Sequence, residues 1–123
     1  MRRILLSALL ASLPLHTALA ADAIEPLPEA SAAPAEAKQV QIDKMKFNPT
    51  DITVKAGSVV TWTNKEGLPH NVHFKAGGPN VTKDIEGPML RANQTYSVRF
   101  NQAGTYDYIC TPHPFMKAKV TVE

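Results

Sequence analysis

Short stretches in which apolar and polar residues alternate dominate the chain from residue 39 onward, and this pattern restricts the fold most strongly. Period-two alternation predicts half-buried β-strands, because successive side chains of a strand point to opposite faces of its sheet. Gly, Pro and Asn residues separate the stretches, and no useful helical period follows the leader. About seven short strands in about 100 residues predict an all-β fold, an antiparallel Greek-key β-sandwich. The predicted strands cover residues 40–42, 52–54, 59–63, 71–74, 95–100, 105–110 and 117–122, with a long irregular connection over 75–90.

The first twenty residues have the order of a secretory signal peptide: two arginines, an apolar run over 4–13 and small residues at 18–20. Pro14 and His16 interrupt this run, and a bilayer span needs about 20 continuous apolar residues. We expect cleavage after residue 20, with residue 23 as the alternative, and export of the mature chain to the periplasm without membrane insertion. The predicted organisation is a signal peptide over 1–20, an Ala/Pro-rich N-terminal arm over 21–38 and one domain over 39–123.

The charge balance also depends on the leader. The whole chain has 13 Lys and Arg residues against 11 Asp and Glu residues, and Arg2 and Arg3 leave with the signal peptide. The mature chain then has 11 basic and 11 acidic residues, a net charge of zero. Neutrality without a basic run excludes a nucleic-acid-binding protein. We expect a monomer.

The single cysteine, Cys110, needs an explanation in an exported chain, because cysteines in oxidising compartments are usually paired in disulfides. It begins the segment Cys-Thr-Pro-His-Pro-Phe-Met, in which a thiol, an imidazole (His113) and a thioether (Met116) recur every three residues between two predicted strands. Forty residues upstream, His70 begins another strand. Two histidines, one cysteine and a weak axial methionine are the ligand set of a blue copper electron-transfer site.

Each of these residues also has a plain structural interpretation. Cys110 could be a buried thiol, His113 a surface histidine, Met116 a core residue and His70 a strand-end residue. Their common spacing and order favour the metal site. The remaining histidine of the mature chain is His73, three residues after His70. On a strand, residues separated by an odd number point to opposite faces, so only one of the two rings can reach the metal. We expect His73 to be structural or exposed.

A ligand set of this mixture suits one-electron exchange. Cu(I) prefers soft sulfur ligands whereas Cu(II) prefers nitrogen, and an intermediate set on a rigid sandwich lets one ion, Cu⁺ or Cu²⁺, change charge with little movement. A non-redox copper-binding or chaperone protein is the first alternative, but it would favour open and exchangeable Met- and His-rich sites. A copper enzyme is the second, and it would need an open coordination position or a further cluster. The pattern therefore predicts an electron carrier that is not an enzyme.

Several segments resemble the cupredoxins, the small blue copper proteins, and above all the members with a short ligand loop. The likeness covers residues 40–123 and is carried by residues 44–47, 69–74, 87–89, 103–108 and 110–116. The resemblance implies a cupredoxin-like sandwich with copper ligands His70, Cys110, His113 and Met116. It also implies that Asn71 joins the two ligand loops by hydrogen bonds, and that electrons pass from a periplasmic methylamine dehydrogenase to a c-type cytochrome. A different dehydrogenase or reductase as partner stays open.

A small apolar patch is expected around the ring of His113. Such a surface suits brief docking. Electron-transfer encounters use small interfaces, which lose their water quickly when the partners meet and let the partners dissociate quickly. Two of its prolines also stiffen the ligand loop. The predicted patch consists of Leu68, Pro69, Met89, Pro112, Pro114 and Phe115.

Overall fold

The computed structural model describes residues 22–28, 33–78 and 80–123. The predicted signal peptide and its cleavage site at residue 20 lie outside the described residues. Within these three ranges, no helix has the length and apolarity needed to cross a membrane.

Among the described residues, ten strands form two five-stranded sheets that pack face to face. The strands of the first sheet are β1 (Ile24–Pro26), β2 (Lys38–Asp43), β3 (Lys46–Asn48), β5 (Ser58–Asn64) and β8 (Thr95–Phe100). Those of the second sheet are β4 (Asp51–Val54), β6 (His73–Phe74), β7 (Ile85–Glu86), β9 (Gly104–Cys110) and β10 (His113–Val122). The first sheet has the order β1-β8-β5-β2-β3 and the second has the order β4-β10-β9-β6-β7.

The predicted all-β sandwich is confirmed, although its strands are not antiparallel throughout. Strand β2 runs parallel to β5, and β4 runs parallel to β10. The chain crosses to the second sheet at β4 before returning to the first at β5, so β5 enters beside β2 in the same direction. Alternation along a strand does not reveal such crossings, because it reports which face is buried and not the neighbour's direction.

The N-terminal arm contributes a strand to the sandwich, which we did not expect from its composition. Strand β1 pairs with β8, and Ile24 is buried in the core. Ala37 is also buried, next to the start of β2. The buried side chain of Ile24 and the backbone hydrogen bonds that flank it, from Leu27 to Ser97 and from Asn101 to Ala23, hold this short segment. The edge position also tolerates Pro26, since a proline there forfeits no ladder bond toward a further strand.

Trp62 is fully buried at the centre of the core and lies in edge-on contact with Phe74 and Tyr108. Its indole Nε1–H donates to the hydroxyl of Tyr108 at 3.2 Å. The hydroxyl of Tyr106 donates to the backbone oxygen of Gln102 at 2.7 Å, a bond that closes a corner of the sandwich. These contacts give the strand ends at Cys110 and His113 a rigid base.

Candidate metal centre

Three side chains converge at one end of the sandwich. The Nδ1 atom of His70 lies 3.5 Å from the Sγ atom of Cys110, and the Nδ1 atom of His113 lies 3.6 Å from the same sulfur. The three donor atoms all lie within 4.8 Å of one another. His70 and Cys110 are fully buried, whereas His113 is half-buried. The structure therefore brings together the thiol and both imidazoles that the sequence singled out, and leaves one ring edge accessible.

A bulge between β9 and β10 shapes the ligand loop. His113 pairs with Cys110, but the next pair along the ladder joins Lys117 to Ile109, so residues 114–116 of β10 have no partners on β9. The extra residues bend the strand and turn its side chains away from the regular alternation. Met116 at the end of this bulge is buried, while Phe115 is exposed. The fourth predicted ligand thus belongs to the same loop and faces inward.

His70 is held at both its backbone and its ring. Its backbone exchanges two hydrogen bonds with Leu90, His70 N–H to Leu90 O at 3.2 Å and Leu90 N–H to His70 O at 2.7 Å. Its Nε2 atom lies 2.5 Å from Oε1 of Glu66. Because a carboxylate only accepts, Nε2 carries the proton and Nδ1 is left with its lone pair toward the sulfur. The arrangement selects the tautomer that a metal ligand needs.

Glu66 is a functional residue that the sequence reasoning missed. Its carboxylate accepts the backbone N–H groups of Lys44 at 2.8 Å and Met45 at 3.1 Å, in addition to the ring of His70. Partial burial opposes ionisation of this carboxyl, but the hydrogen bonds from Met45, His70 and Lys44 outweigh burial and lower the pKa of Glu66. The available signal was the spacing, a carboxylate four residues before a candidate ligand.

Asn71 connects the two chain segments that carry the site. Its Oδ1 atom accepts the backbone N–H of Thr111 at 2.7 Å, and its Nδ2 atom donates to the Thr111 hydroxyl at 2.9 Å. The same Nδ2 atom donates to the backbone oxygen of Gly87 at 3.2 Å. Asn71 follows His70 and Thr111 follows Cys110, so these bonds fix one segment against the other.

The thiol of Cys110 sits in surroundings that favour its protonated form. Burial raises the pKa of Cys110, and the backbone N–H groups of Asn71 and His113 oppose this effect without cancelling it. A cation is therefore needed to stabilise the thiolate at neutral pH, and binding of a metal ion releases the proton. A buried thiolate beside two imidazole nitrogens, closed on the protein side, fits a copper ion that exchanges one electron.

The six residues of the predicted apolar patch are all exposed, and one of them contacts the half-buried ring of His113. Among its members, Phe115 is 68% exposed, Leu68 is 53% exposed and Met89 is 46% exposed. The rings of Phe115 and His113 are in edge-on contact, with their centroids 6.1 Å apart. The prolines Pro69, Pro112 and Pro114 are exposed as well. The accessible edge of the imidazole therefore has the large exposed side chain of Phe115 beside it.

His73, the histidine that we expected outside the metal site, points away from the sulfur. Its ring contacts Asp84 and the hydroxyl of Thr111. It is buried and not exposed, so the structural alternative describes it better than the surface one.

Comparison with known proteins agrees with the site and the sandwich. Residues 35–123 match the model of the copper binding proteins of the plastocyanin/azurin family. The chain belongs to this family: it is a blue copper protein of the cupredoxin type, an electron carrier that uses one copper ion and is not an enzyme.

Within the family, the chain is similar to amicyanin. It is 62% identical to amicyanin-alpha of Methylorubrum extorquens over 123 residues, 100% of both chains. It is 54% identical to the amicyanin of Paracoccus denitrificans over 84 residues, which covers 68% of this chain and 63% of that protein. A solved structure of a reduced mutant of amicyanin superposes with a TM-score of 0.76 and 45% identity, over 83% of this chain and 100% of the other.

Proposed function

We propose that the chain works in the periplasm as a one-electron shuttle from methylamine dehydrogenase to a c-type cytochrome. We further propose that His70, Cys110, His113 and Met116 hold its copper ion. The observation that carries the ligand assignment is the approach of two imidazole Nδ1 atoms to one buried sulfur, at 3.5 and 3.6 Å. Membership in the blue copper family supports the same assignment.

The site exchanges electrons through His113, because this is the one nitrogen ligand of the proposed set with an accessible ring. His70 is fully buried, and its ring is occupied by Glu66 on the far side. The apolar patch supplies a docking surface around His113. Few bound water molecules must leave this surface when a partner docks, and the partner can dissociate quickly. Asn71 and Glu66 keep the ligands in place when the charge of the centre changes, and this lowers the energy of rearrangement.

Visible absorption of the copper-loaded protein tests the ligand assignment. Replacing Cys110 by Ser removes the thiolate, so we expect the intense blue band to be lost. His70→Gln should abolish or strongly shift the band, and His73→Gln is the matched control, because His73 is a buried histidine outside the proposed ligands. An unchanged blue band in His70→Gln would contradict the assignment.

Reduction kinetics test the partner. Stopped-flow mixing with reduced methylamine dehydrogenase should give fast reduction. Phe115→Glu should slow it by at least about tenfold, or about 1.4 kcal/mol, because docking would bury an unpaired charge in the interface. Thr53→Glu adds the same charge at an exposed position of strand β4, outside the patch, and should leave the rate unchanged. Reduction that is slow with this enzyme but fast with another dehydrogenase would refute the partner and keep the carrier function.

A further inference from the structure

A second buried histidine lies beside the ligand loop without facing the sulfur. The side chain of His73 is 8% exposed, and both ring nitrogens have polar neighbours. Nε2 lies 3.2 Å from Oδ2 of Asp84, and Nδ1 lies 3.2 Å from Oγ1 of Thr111. Which nitrogen carries a proton follows from what these two neighbours can donate and accept.

The hydroxyl of Thr111 has three neighbours, which use its full bonding capacity of one donor and two acceptor positions. Asn71 Nδ2–H donates to it at 2.9 Å, and the orientation of that amide is fixed because its Oδ1 accepts the Thr111 N–H. Glu86 Oε1 lies 3.1 Å away and accepts the hydroxyl proton. The remaining lone pair of the hydroxyl faces Nδ1 of His73 and needs a donor there.

The other end of the ring faces a second acceptor. Asp84 accepts the backbone N–H of Ala76 at 2.7 Å, and this bond, together with the bond from His73, lowers the pKa of Asp84. The carboxylate is therefore ionised at neutral pH and needs a donor at Nε2. Either neutral tautomer of His73 leaves one lone pair against another, whereas the imidazolium satisfies both ends of the ring.

The charges around the ring favour a cation. Burial raises the pKa of the two tyrosines that line the cleft beside the ring, so both are neutral. Three carboxylates, those of Asp84, Glu86 and Asp107, outnumber the one nearby ammonium, that of Lys75. Lys117 lies two strands away in the same row, at about 10 Å, where salt screens it strongly. The ionisable groups that face His73 or line its cleft are Asp84, Glu86, Asp107, Lys75, Lys117, Tyr106 and Tyr108.

We propose that His73 is a proton-binding site, held as the imidazolium between Asp84 and Thr111, and that its proton is coupled to the electron carried by the site. The coupling rests on the proposed function of the ligand loop, because Thr111 directly follows Cys110. Reduction adds one electron from the donor protein, and a cation next to the loop stabilises the reduced form. By linkage, the reduced protein binds the proton of His73, taken from water, more tightly than the oxidised protein does.

Nitrogen NMR of the His73 ring tests the protonation state directly. In the copper(I) protein and in the metal-free protein, we expect both ring nitrogens to carry protons at pH 7. Asp84→Asn should weaken proton binding by about tenfold, the low end of the effect of an opposite charge at contact distance. Asp107→Asn is the matched control, because Asp107 lines the cleft beside His73 and carries the same charge as Asp84, but the ring's carboxylate bond is to Asp84. A ring with one unprotonated nitrogen at pH 7 would overturn the proposal.

The coupling needs a redox measurement. In the wild type, the reduction potential should fall with rising pH, and the part of that fall that depends on His73 should be missing in His73→Gln. Identical pH profiles in the two proteins would refute the coupling even if the ring is doubly protonated. Failure of the proposed ligand set has a different signature, since it removes the blue band and leaves the NMR result on the metal-free protein unchanged.

Discussion

Replacing Asn71 by Ala should loosen the candidate metal centre without touching a proposed ligand. The change removes three hydrogen bonds, two to Thr111 at 2.7 and 2.9 Å and one to the backbone of Gly87 at 3.2 Å. Asn71 is 1% exposed, so water does not replace these bonds freely. At about 1 kcal/mol for each bond, the free energy of unfolding should fall by about 3 kcal/mol. For a domain of this size that corresponds to a loss of roughly 10–20 °C in Tm.

The same substitution should weaken copper binding by about tenfold or more, the usual effect of removing a group that orients metal ligands. Denaturant unfolding of the metal-free protein and competition with a copper chelator measure the two quantities separately. Thr111→Val keeps two of the three Asn71 bonds, the one from the Thr111 N–H and the one to Gly87, so it should weaken copper binding less than Asn71→Ala does.

Asn101→Ala provides the surface control. Asn101 also donates two side-chain hydrogen bonds, to the backbone oxygen of Asp22 and to Glu25, but both are exposed. Its loss should cost well under 1 kcal/mol, because exposed bonds are exchanged for bonds to water. If Asn71→Ala were no more destabilising than Asn101→Ala and bound copper as tightly as the wild type, the connection between the loops would carry no energy and our reasoning would be wrong.

Three further predictions concern the stability of the sandwich. Tyr108→Phe leaves the indole N–H of Trp62 without its acceptor and should lower the free energy of unfolding by about 1–3 kcal/mol in calorimetry; an unchanged Tm would contradict this. Gly104→Ala should cost about 1–3 kcal/mol, because φ is +150° there and a Cβ atom would lie 2.6 Å from Asn80 Nδ2; wild-type stability would show that this turn relaxes freely. Burial raises the pKa of Cys110, so the unfolded chain loses the thiol proton first, and the stability of the metal-free protein should fall as pH rises past the ordinary value of 9.0. Cys110→Ala should remove that slope, and an equal slope in both proteins would assign it to another group.

The sequence predicted most of the sandwich because the core strands alternate cleanly. Thr95–Phe100 was predicted with its observed bounds, and its buried side chains fall on every second residue. The parallel pairings and strand β1 could not be predicted in this way. Both depend on which sheet edge is open after the chain crosses between the two sheets. In addition, Ile24 is the one buried residue of strand β1, in a segment whose composition resembles that of a disordered tail.

The sequence predicted that His70, Cys110 and His113 converge. The prediction was possible because Cys110, His113 and Met116 share one short loop and only His70 had to be found elsewhere. It did not predict Glu66 or the hydrogen bonds of His73. Glu66 reaches His70 across a turn and is held by the backbone of residues 44–45, whose contact with the loop is a tertiary feature. One ring neighbour of His73, Asp84, comes from the irregular connection over 75–90, where neither periodicity nor turn residues indicate which side chains meet.

The bulge that separates the His113 and Lys117 pairs has a consequence for how this protein could vary. Because residues 114–116 have no partners on β9, their number can change while the ladder from Lys117 to Val122 keeps its register with β9. An added or deleted residue there would change the position of the Met116 thioether and the contour of the exposed surface, while the pairing of β9 with β10 beyond the bulge stays the same. The length of the ligand loop and the register of the strands that carry it are thereby open to change one at a time.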